Sequence, residues 1–292
     1  MIPLKDNIPT TRFAVVTVAL IAINVAVFFW QLSFSGNVDS QKDPGLKTLG
    51  LSPRDENSIE YGAIPYRLAH PGKDCAAGVT QSSSGAEASV VCEGTADYRH
   101  AQELAASDPQ AFPLVQLDEP PWWETAFTSM FMHGGILHIA FNMLFLWVFG
   151  NNIEDMMGRL KYLAFYLVGG LVALYSQALI DPGSTLPTIG ASGAIAAVLG
   201  AYALLHPRAK VLTLVFIVFF VTLVEIPAMV MLGIWFVLQF IPALGQAAAP
   251  VAGSGGVAYF AHVGGFIFGI LVMLVAKRFI SDERLAALRA ET

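Results

Sequence analysis

The stretch HGGILHIAFNMLFLWVF, residues 133–149, decides the fold class of this chain. It carries no Lys, Arg, Asp or Glu, and it continues an apolar run that begins at Phe127. A helix rises about 1.5 Å per residue, so a run of this length can cross the hydrocarbon core of a bilayer. The sequence therefore predicts a membrane-spanning helix over Phe127–Phe149.

The overall composition points the same way. The 292 residues are 55% hydrophobic and only 13% charged, whereas soluble domains carry about 25% charged residues. The formal net charge of −6 argues against a nucleic-acid partner, which would require a basic surface. No cofactor is expected, and no metal site either, because the cysteines lack a Cys-x-x-Cys spacing or a nearby histidine pair.

Six apolar stretches predict an all-α membrane protein with a six-helix bundle. They are Phe13–Leu32, Phe127–Phe149, Leu160–Ile180, Gly190–Leu205, Pro227–Ala243 and Val257–Ala276. The chain then divides into a cytoplasmic N-terminus (1–12), a first transmembrane helix (13–32), an extracytoplasmic insert (33–121), a five-helix membrane core (122–278) and a cytoplasmic tail (279–292).

The apolar stretch VLTLVFIVFFVTLVEIP, residues 211–227, is short for a crossing, and we interpret it as a hairpin or an interfacial segment. The basic residues support this choice through the positive-inside rule. The short outer loops 181–189 and 244–256 contain no Lys or Arg. A seventh crossing would move the basic residues after Ala276 to the outside. Both termini are therefore predicted to be cytoplasmic.

The insert is polar and acidic, with 13 Asp and Glu against six Lys and Arg between Asp39 and Glu119. It holds both cysteines, Cys75 and Cys92, which would form a disulfide in an oxidising compartment; the alternative is two unpaired thiols. Short helices are expected at Pro53–Tyr61 and Asp97–Ser107. We expect the insert to help dock substrate and to be dispensable for general activity.

Four polar residues stand inside the predicted spans, where such side chains are costly and mark functional sites. His138 and Asn142 share one face of the second helix, Ser192 lies at the start of the fourth, and His262 lies near the start of the sixth. These three helices enter from the same side, so the four side chains reach one shallow layer. His206, in contrast, is expected at the surface.

These residue types suit acyl transfer. A serine hydroxyl becomes a nucleophile when a histidine takes its proton, which assigns these roles to Ser192 and His262. Asn142 and His138 could donate hydrogen bonds to the oxyanion. No carboxylate lies at this depth, so the sequence predicts a dyad. Small residues, including Gly193, Ala261 and Gly265, would let the fourth and sixth helices pack closely.

The motifs HGGILHIAFN, GASG and AHVGG, in this order, resemble those of the rhomboid family of intramembrane serine proteases. The resemblance covers about Trp122 to Ala276. It implies Ser192 as nucleophile and His262 as base, an oxyanion site of Asn142 and His138 with Gly190 shaping the turn, and a supporting role for His133. It also implies an acyl-enzyme intermediate. The substrates would be single-pass membrane proteins, cut near the outer face of a bacterial plasma membrane.

The sequence departs from the family pattern at two places. The residues before the second helix are Trp122, Trp123 and Glu124, without the Arg that many rhomboids carry there. Ala196 replaces an aromatic residue that commonly stacks on the catalytic histidine, so another group must hold His262.

Two other functions are alternatives to the protease. The first is a catalytically inactive rhomboid-like protein that binds client helices. The second is a small transporter or channel, which is disfavoured because the spans contain no acidic pair and the chain has no internal repeat. Membrane lipid is an expected partner, and the sequence makes no prediction of oligomeric state.

Overall fold

The computed structural model describes residues 1–34, 44–82, 85–118, 120–217, 220–248 and 257–279. The predicted outer loop 244–256 and the cytoplasmic tail 279–292, with Arg284 and Arg289, therefore lie mostly outside the described residues.

Helices dominate the described part of the chain. The α-helices are α1 (Val15–Ser33), α2 (Pro44–Thr48), α3 (Pro53–Tyr61), α4 (Pro65–Ala69), α5 (Ala96–Ser107), α6 (Trp122–Thr128), α7 (Ile136–Met157), α8 (Arg159–Ile180), α9 (Ser192–Leu205), α10 (Ala228–Ala248) and α11 (Tyr259–Ala276). The strands are β1 (Ile2–Asp6), β2 (Cys75–Ser82), β3 (Gly85–Cys92), β4 (Val115–Gln116), β5 (Lys210–Ile217) and β6 (Phe220–Pro227). Short 3₁₀ turns cover Ser129–Phe131 and Lys277–Phe279.

The predicted helical membrane bundle is confirmed. Five helices, α1, α7, α8, α10 and α11, are long and apolar enough to cross a membrane. The shorter α9 has 14 residues and is enclosed by its neighbours, so that all its residues except Ser192 and Leu204 are buried. The principal hydrophobic core surrounds α9 and includes Phe149, Tyr162, Tyr166 and Tyr202.

The second predicted span begins in the wrong place. Residues near Phe127 form the short helix α6, a 3₁₀ turn follows, and α7 begins only at Ile136. Gly135, with φ 179° and ψ 169°, is the N-cap of α7 and holds the chain extended immediately before it. The helix also continues past Phe149 to Met157, and its acidic residue Glu154 has partners within the protein.

Glu154 binds the first turn of α1. Its carboxylate accepts hydrogen bonds from the backbone N–H groups of Val16 (2.9 Å) and Thr17 (2.7 Å) and from the Thr17 hydroxyl (2.9 Å). The first N–H groups of a helix have no partner within the helix, and a negative charge there is favourable. This buried carboxylate therefore fixes α1 against α7.

Residues 210–227 form a β-hairpin rather than a helical segment. Strands β5 and β6 pair antiparallel from Lys210 opposite Pro227 to Ile217 opposite Phe220, and β1 adds to the free edge of β5. Val, Ile, Phe and Thr dominate this stretch, and such residues favour strands. The hairpin prediction is confirmed, whereas an entirely helical fold is wrong for this end of the bundle.

Two buried polar groups lie beside this sheet. Asp6 of β1 accepts hydrogen bonds from Asn152 and Tyr202, while burial raises the pKa of its carboxyl group. His206 is only 1% exposed, which corrects its predicted surface position. It follows α9 directly, and its ring packs 5.1 Å from that of Tyr202. Burial, and then Lys277, lower the pKa of His206 to about 4.

The insert folds into small elements instead of an irregular loop. The helix predicted at Pro53–Tyr61 is confirmed as α3, capped at Ser52, and the one predicted at Asp97–Ser107 begins one residue earlier. Strands β2 and β3 pair in register from Cys75 opposite Cys92, and a disulfide joins these two residues.

The insert packs on the bundle near the start of α9. Leu68 of α4 is buried in one cluster with Leu174 and Ala178 of α8. Ala63 and Thr188 exchange two backbone hydrogen bonds of 3.1 and 2.8 Å. The insert and the N-terminus of α9 therefore share one end of the bundle, whereas β1 and the β5–β6 hairpin occupy the opposite end.

Candidate active site

Ser192 and His262 lie in direct contact. The Ser192 hydroxyl oxygen is 2.7 Å from Nε2 of His262. Ser192 is the first residue of α9, and His262 lies in the first turn of α11. The helices approach closely because Gly265 faces the carbonyl oxygen of Gly193, where a Cβ would overlap it. Ala261 is buried beside this contact.

Hydrogen bonding fixes the tautomer of His262. A serine hydroxyl that donates to Nε2 requires Nε2 to be the unprotonated ring nitrogen. The proton then resides on Nδ1, which lies 2.7 Å from Oε1 of Gln239 on α10. Ala196 is fully buried and offers no ring, whereas the Trp235 ring lies 5.9 Å from the imidazole. Residues of α10, and not a residue at position 196, therefore hold the ring of His262.

His138 lies on the other side of the nucleophile, against Gly190. Nδ1 of His138 accepts a hydrogen bond of 3.4 Å from the Gly134 backbone N–H, so its proton belongs on Nε2. A Cβ on Gly190 would stand 2.9 Å from that Nε2. Gly190 also has φ +127°, which favours glycine. Its missing side chain leaves room for the imidazole next to Ser192.

Asn142 lies one helical turn beyond His138 and is 7% exposed. Its Nδ2 is buried and makes no hydrogen bond within the described part of the chain. A buried amide without a partner is unfavourable unless a ligand supplies one. Asn142 is therefore a donor available to a bound molecule.

His133 is fully buried outside the cavity and contacts Gln31 and His138. Its backbone N–H donates to Oε1 of Gln31 at 2.9 Å, and its ring stands edge-on to His138 at 5.0 Å. Burial, and then the nearby His138, lower the pKa of His133 to about 4. A neutral His133 thus supports the position of His138 without reaching Ser192.

A cavity of about 700 Å³ joins these groups. Its lining includes Ser192, His262, His138, Asn142 and Gly190, which the sequence had placed together. Apolar side chains form much of the remaining wall, among them Leu137, Phe141 and Trp235, and Pro65 of the insert contributes as well. Within the described ranges, no three His, Cys, Asp or Glu side chains are grouped so that they could hold a metal ion.

Two glutamines of the cavity were missed by the sequence reasoning. Gln239 contacts His262, and Oε1 of Gln177 accepts a 3.2 Å hydrogen bond from the Phe260 N–H at the start of α11. Both interrupt apolar spans, and this polarity was the available signal. Amides often serve helix packing, however, so only the three-dimensional arrangement reveals their partner.

The fold and this site define a multi-pass membrane protein with a buried serine–histidine pair. A family model described as the Rhomboid domain matches residues 120–279, which is over half the chain. The chain belongs to the rhomboid family.

Curated relatives agree with this assignment. Rhomboid protein 1 of Saccharomyces cerevisiae, a mitochondrial protein, is 30% identical over 186 residues, covering 62% of this chain and 50% of the relative. The mitochondrial presenilin-associated rhomboid-like protein A of Danio rerio is 32% identical over 145 residues, covering 49% and 34%. Rhomboid protease GluP of Bacillus subtilis is 40% identical over 80 residues, covering 27% and 15%. The chain spans half or less of the length of these relatives.

Proposed function

We propose that this protein is an intramembrane serine endopeptidase that uses Ser192 and His262 as a catalytic dyad. The observation that carries the proposal is the 2.7 Å contact between the Ser192 hydroxyl and Nε2 of His262 inside a cavity between apolar helices. A buried hydroxyl beside an unprotonated imidazole nitrogen is the arrangement that nucleophilic catalysis needs.

The reaction proceeds in two halves. In the first, Ser192 Oγ attacks the scissile carbonyl carbon while Nε2 of His262 takes its proton. The same nitrogen then gives that proton to the leaving amine, and an acyl-enzyme remains. In the second half, His262 takes a proton from water, the hydroxide attacks the ester, and the serine regains its proton. Both products leave, and the dyad returns to its starting state.

The negative charge of each tetrahedral intermediate requires donors. Three donors face the cavity beside the nucleophile: Nε2–H of His138, Nδ2 of Asn142, and the backbone N–H of Ser192 at the start of α9. Such fixed donors stabilise the transition state by about 3 kcal/mol each. Gly190 supports the same step because it leaves room for His138.

The proposed substrates are transmembrane segments, most simply of single-pass proteins. The cavity walls are largely apolar, and a peptide bond must leave its helical hydrogen bonds to reach Ser192. By the distribution of basic residues, we place both termini in the cytoplasm and the insert with the cavity mouth outside. The compartment is proposed to be a bacterial plasma membrane, although the names of the yeast and zebrafish relatives are mitochondrial.

Activity-based labelling tests this function. We expect a fluorophosphonate probe to label the folded wild type in detergent and to leave Ser192→Ala unlabelled. Ser176→Ala is a matched control, because the Ser176 hydroxyl donates to the Val172 carbonyl on α8 and not to a histidine. Wild type and the control should also cleave a panel of transmembrane segments, with the cut sites identified by product masses.

Absence of labelling and cleavage in folded wild type would favour the alternative, a catalytically inactive rhomboid-like protein that binds client helices. In that case the cavity would serve for binding, and Ser192→Ala would leave client capture unchanged.

A further inference from the structure

Beyond the dyad, one side chain in the cavity has a specific partner that the proposed reaction does not yet use. Gln239 lies on α10, whose neighbouring residues Val237, Leu238, Phe240 and Ile241 are all exposed apolar side chains. Its amide points the other way, with Oε1 2.7 Å from Nδ1 of His262. A polar side chain within such a helix is costly, so its presence there indicates a specific contact.

We propose that Gln239 is a positioning residue that holds His262 in the tautomer able to accept the serine proton. This inference rests on the proposed peptidase function.

The argument begins with the two nitrogens of His262. A neutral imidazole carries one proton, so one nitrogen donates and the other accepts. An amide oxygen can only accept, so Oε1 of Gln239 selects the tautomer with the proton on Nδ1. Nε2 is thereby left free to accept from Ser192, 2.7 Å away. The opposite tautomer would place a proton between Nε2 and the hydroxyl and would abolish the base.

The same hydrogen bond persists throughout the reaction. When Nε2 takes the serine proton, Nδ1 keeps its own, so the donor to Gln239 is present in both the neutral and the charged ring. The amide dipole also presents its negative end to the imidazolium. A glutamine therefore orients the ring and supports its charge without placing a carboxylate in the membrane, where an unpaired charge is costly.

The other surroundings of His262 cannot replace this contact. Trp235, at 5.9 Å between ring centroids, restricts the ring by packing but carries no acceptor toward Nδ1. Ala196 contributes only a methyl group.

The test compares variants of the full-length protein. Gln239→Leu removes the acceptor and keeps a similar volume, and Gln239→Glu restores an acceptor oxygen. Phe240→Leu is the matched control, because this neighbouring side chain is 39% exposed and lies outside the cavity lining. The readouts are kcat and KM for a cleaved transmembrane substrate, together with thermal unfolding in detergent.

We expect Gln239→Leu to lower kcat about tenfold with KM within about twofold, because the lost hydrogen bond acts on the base and not on substrate binding. Gln239→Glu should regain most of kcat. An unchanged kcat in Gln239→Leu, or an equal loss in Phe240→Leu, would overturn the inference. A change in KM alone would make Gln239 part of the substrate-binding wall and would overturn it too.

A second readout does not depend on activity. Nitrogen chemical shifts of ¹⁵N-labelled histidine distinguish a protonated from an unprotonated ring nitrogen. At neutral pH, His262 should carry its proton on Nδ1 in wild type and should become a mixture of tautomers in Gln239→Leu. If wild type fails to cleave or to bind the fluorophosphonate but shows this shift pattern, the proposed peptidase fails while the role of Gln239 stands. A wild-type proton on Nε2 overturns the role itself.

Discussion

At the scale of single residues, His206 is a buried, neutral histidine. Neither of its ring nitrogens has a hydrogen-bond partner within the described part of the chain, and its side chain is 1% exposed. Its pKa falls from 6.5 to about 4, first through burial and then through the charge of Lys277. Protonation of this ring in the folded state is therefore unfavourable.

This burial predicts a pH dependence of stability. The unfolded chain binds the His206 proton below pH 6.5, whereas the folded chain binds it only near pH 4. The stabilisation is complete above pH 6.5, and the free energy of unfolding decreases as the pH falls from 6.5 towards 4. The loss for this group is roughly 3 kcal/mol over that interval. His133 contributes in the same direction.

His206→Phe should make the unfolding free energy less sensitive to acid. Reversible unfolding in detergent, measured at pH 7.5 and pH 5 for both proteins, provides the check. Asp6, with its raised pKa, acts in the opposite direction but is common to both. Equal losses of stability on acidification in wild type and variant would refute the assignment.

The sequence made the four residues of the predicted site visible for one physical reason. Ser192, His262, His138 and Asn142 are polar positions in apolar helices, and their depths agree. Gln239 was not recognised, because its partner depends on how α10 rotates against α11, which no periodicity in an apolar helix reveals. The exposure of His206 was predicted wrongly, because the Pro after it indicates a helix end but does not indicate whether that end is buried.

At the scale of elements, the approach of α9 and α11 brings the dyad together. Gly200 faces the backbone of Phe266, and Gly269 faces the backbone of Ala197, so that a Cβ at either position would overlap a carbonyl oxygen. This spacing also keeps Gly265 against Gly193, one turn from the Ser192–His262 contact. Backbone-to-backbone packing of this kind cannot adjust by rotating a side chain.

Gly269→Ala should therefore lower the free energy of unfolding by about 1–3 kcal/mol and should also reduce cleavage by separating the helices. Gly233→Ala on α10 is the control, since no atom lies within 4 Å of a Cβ placed there. Denaturant titration in detergent measures the free energy of unfolding of both variants, and a cleavage assay measures their activity. Similar stabilities for the two variants would show that the α9–α11 interface tolerates the methyl group.

Element boundaries were predicted less well than element existence. The five long helices follow from long apolar runs with at most one charged residue each, because length and low charge are enough to predict a membrane span. The start of α7 could not be predicted in this way, because Gly134 and Gly135 separate two helices within one apolar stretch. The β5–β6 hairpin lies in an apolar run whose β-branched residues favour strands, and its length, not its periodicity, distinguished it from a crossing.

At the scale of the whole molecule, the insert is joined to the loop that precedes the nucleophile. Besides the two hydrogen bonds between Ala63 and Thr188, the Tyr66 N–H donates to the Ser184 carbonyl at 2.9 Å. Pro65 lines the cavity. These contacts oppose the sequence-based expectation that general activity survives without the insert, because the loop 181–191 would lose its partners on one side.

Deleting Pro53–Asp108 should therefore reduce cleavage of every substrate by at least about tenfold, since several backbone hydrogen bonds of the loop are lost together. Deleting only residues 80–87, and closing the chain from Val79 to its paired residue Ala88, should preserve activity because Ala63 and Tyr66, which bind the loop, are retained. Cleavage rates of folded proteins, with thermal unfolding as a check, compare the two. Full activity after the larger deletion would restore the view of the insert as a dispensable cap.

The shortness of α9 has a consequence for the position of Ser192 in the bilayer. At about 1.5 Å per residue its length is roughly 21 Å, against about 30 Å of hydrocarbon, and its neighbours enclose it almost completely. Helices that touch acyl chains must match their thickness, but α9 is released from that requirement. The position of Ser192 is therefore set by the helices packed around α9, and we expect it to be the same in thin and thick membranes.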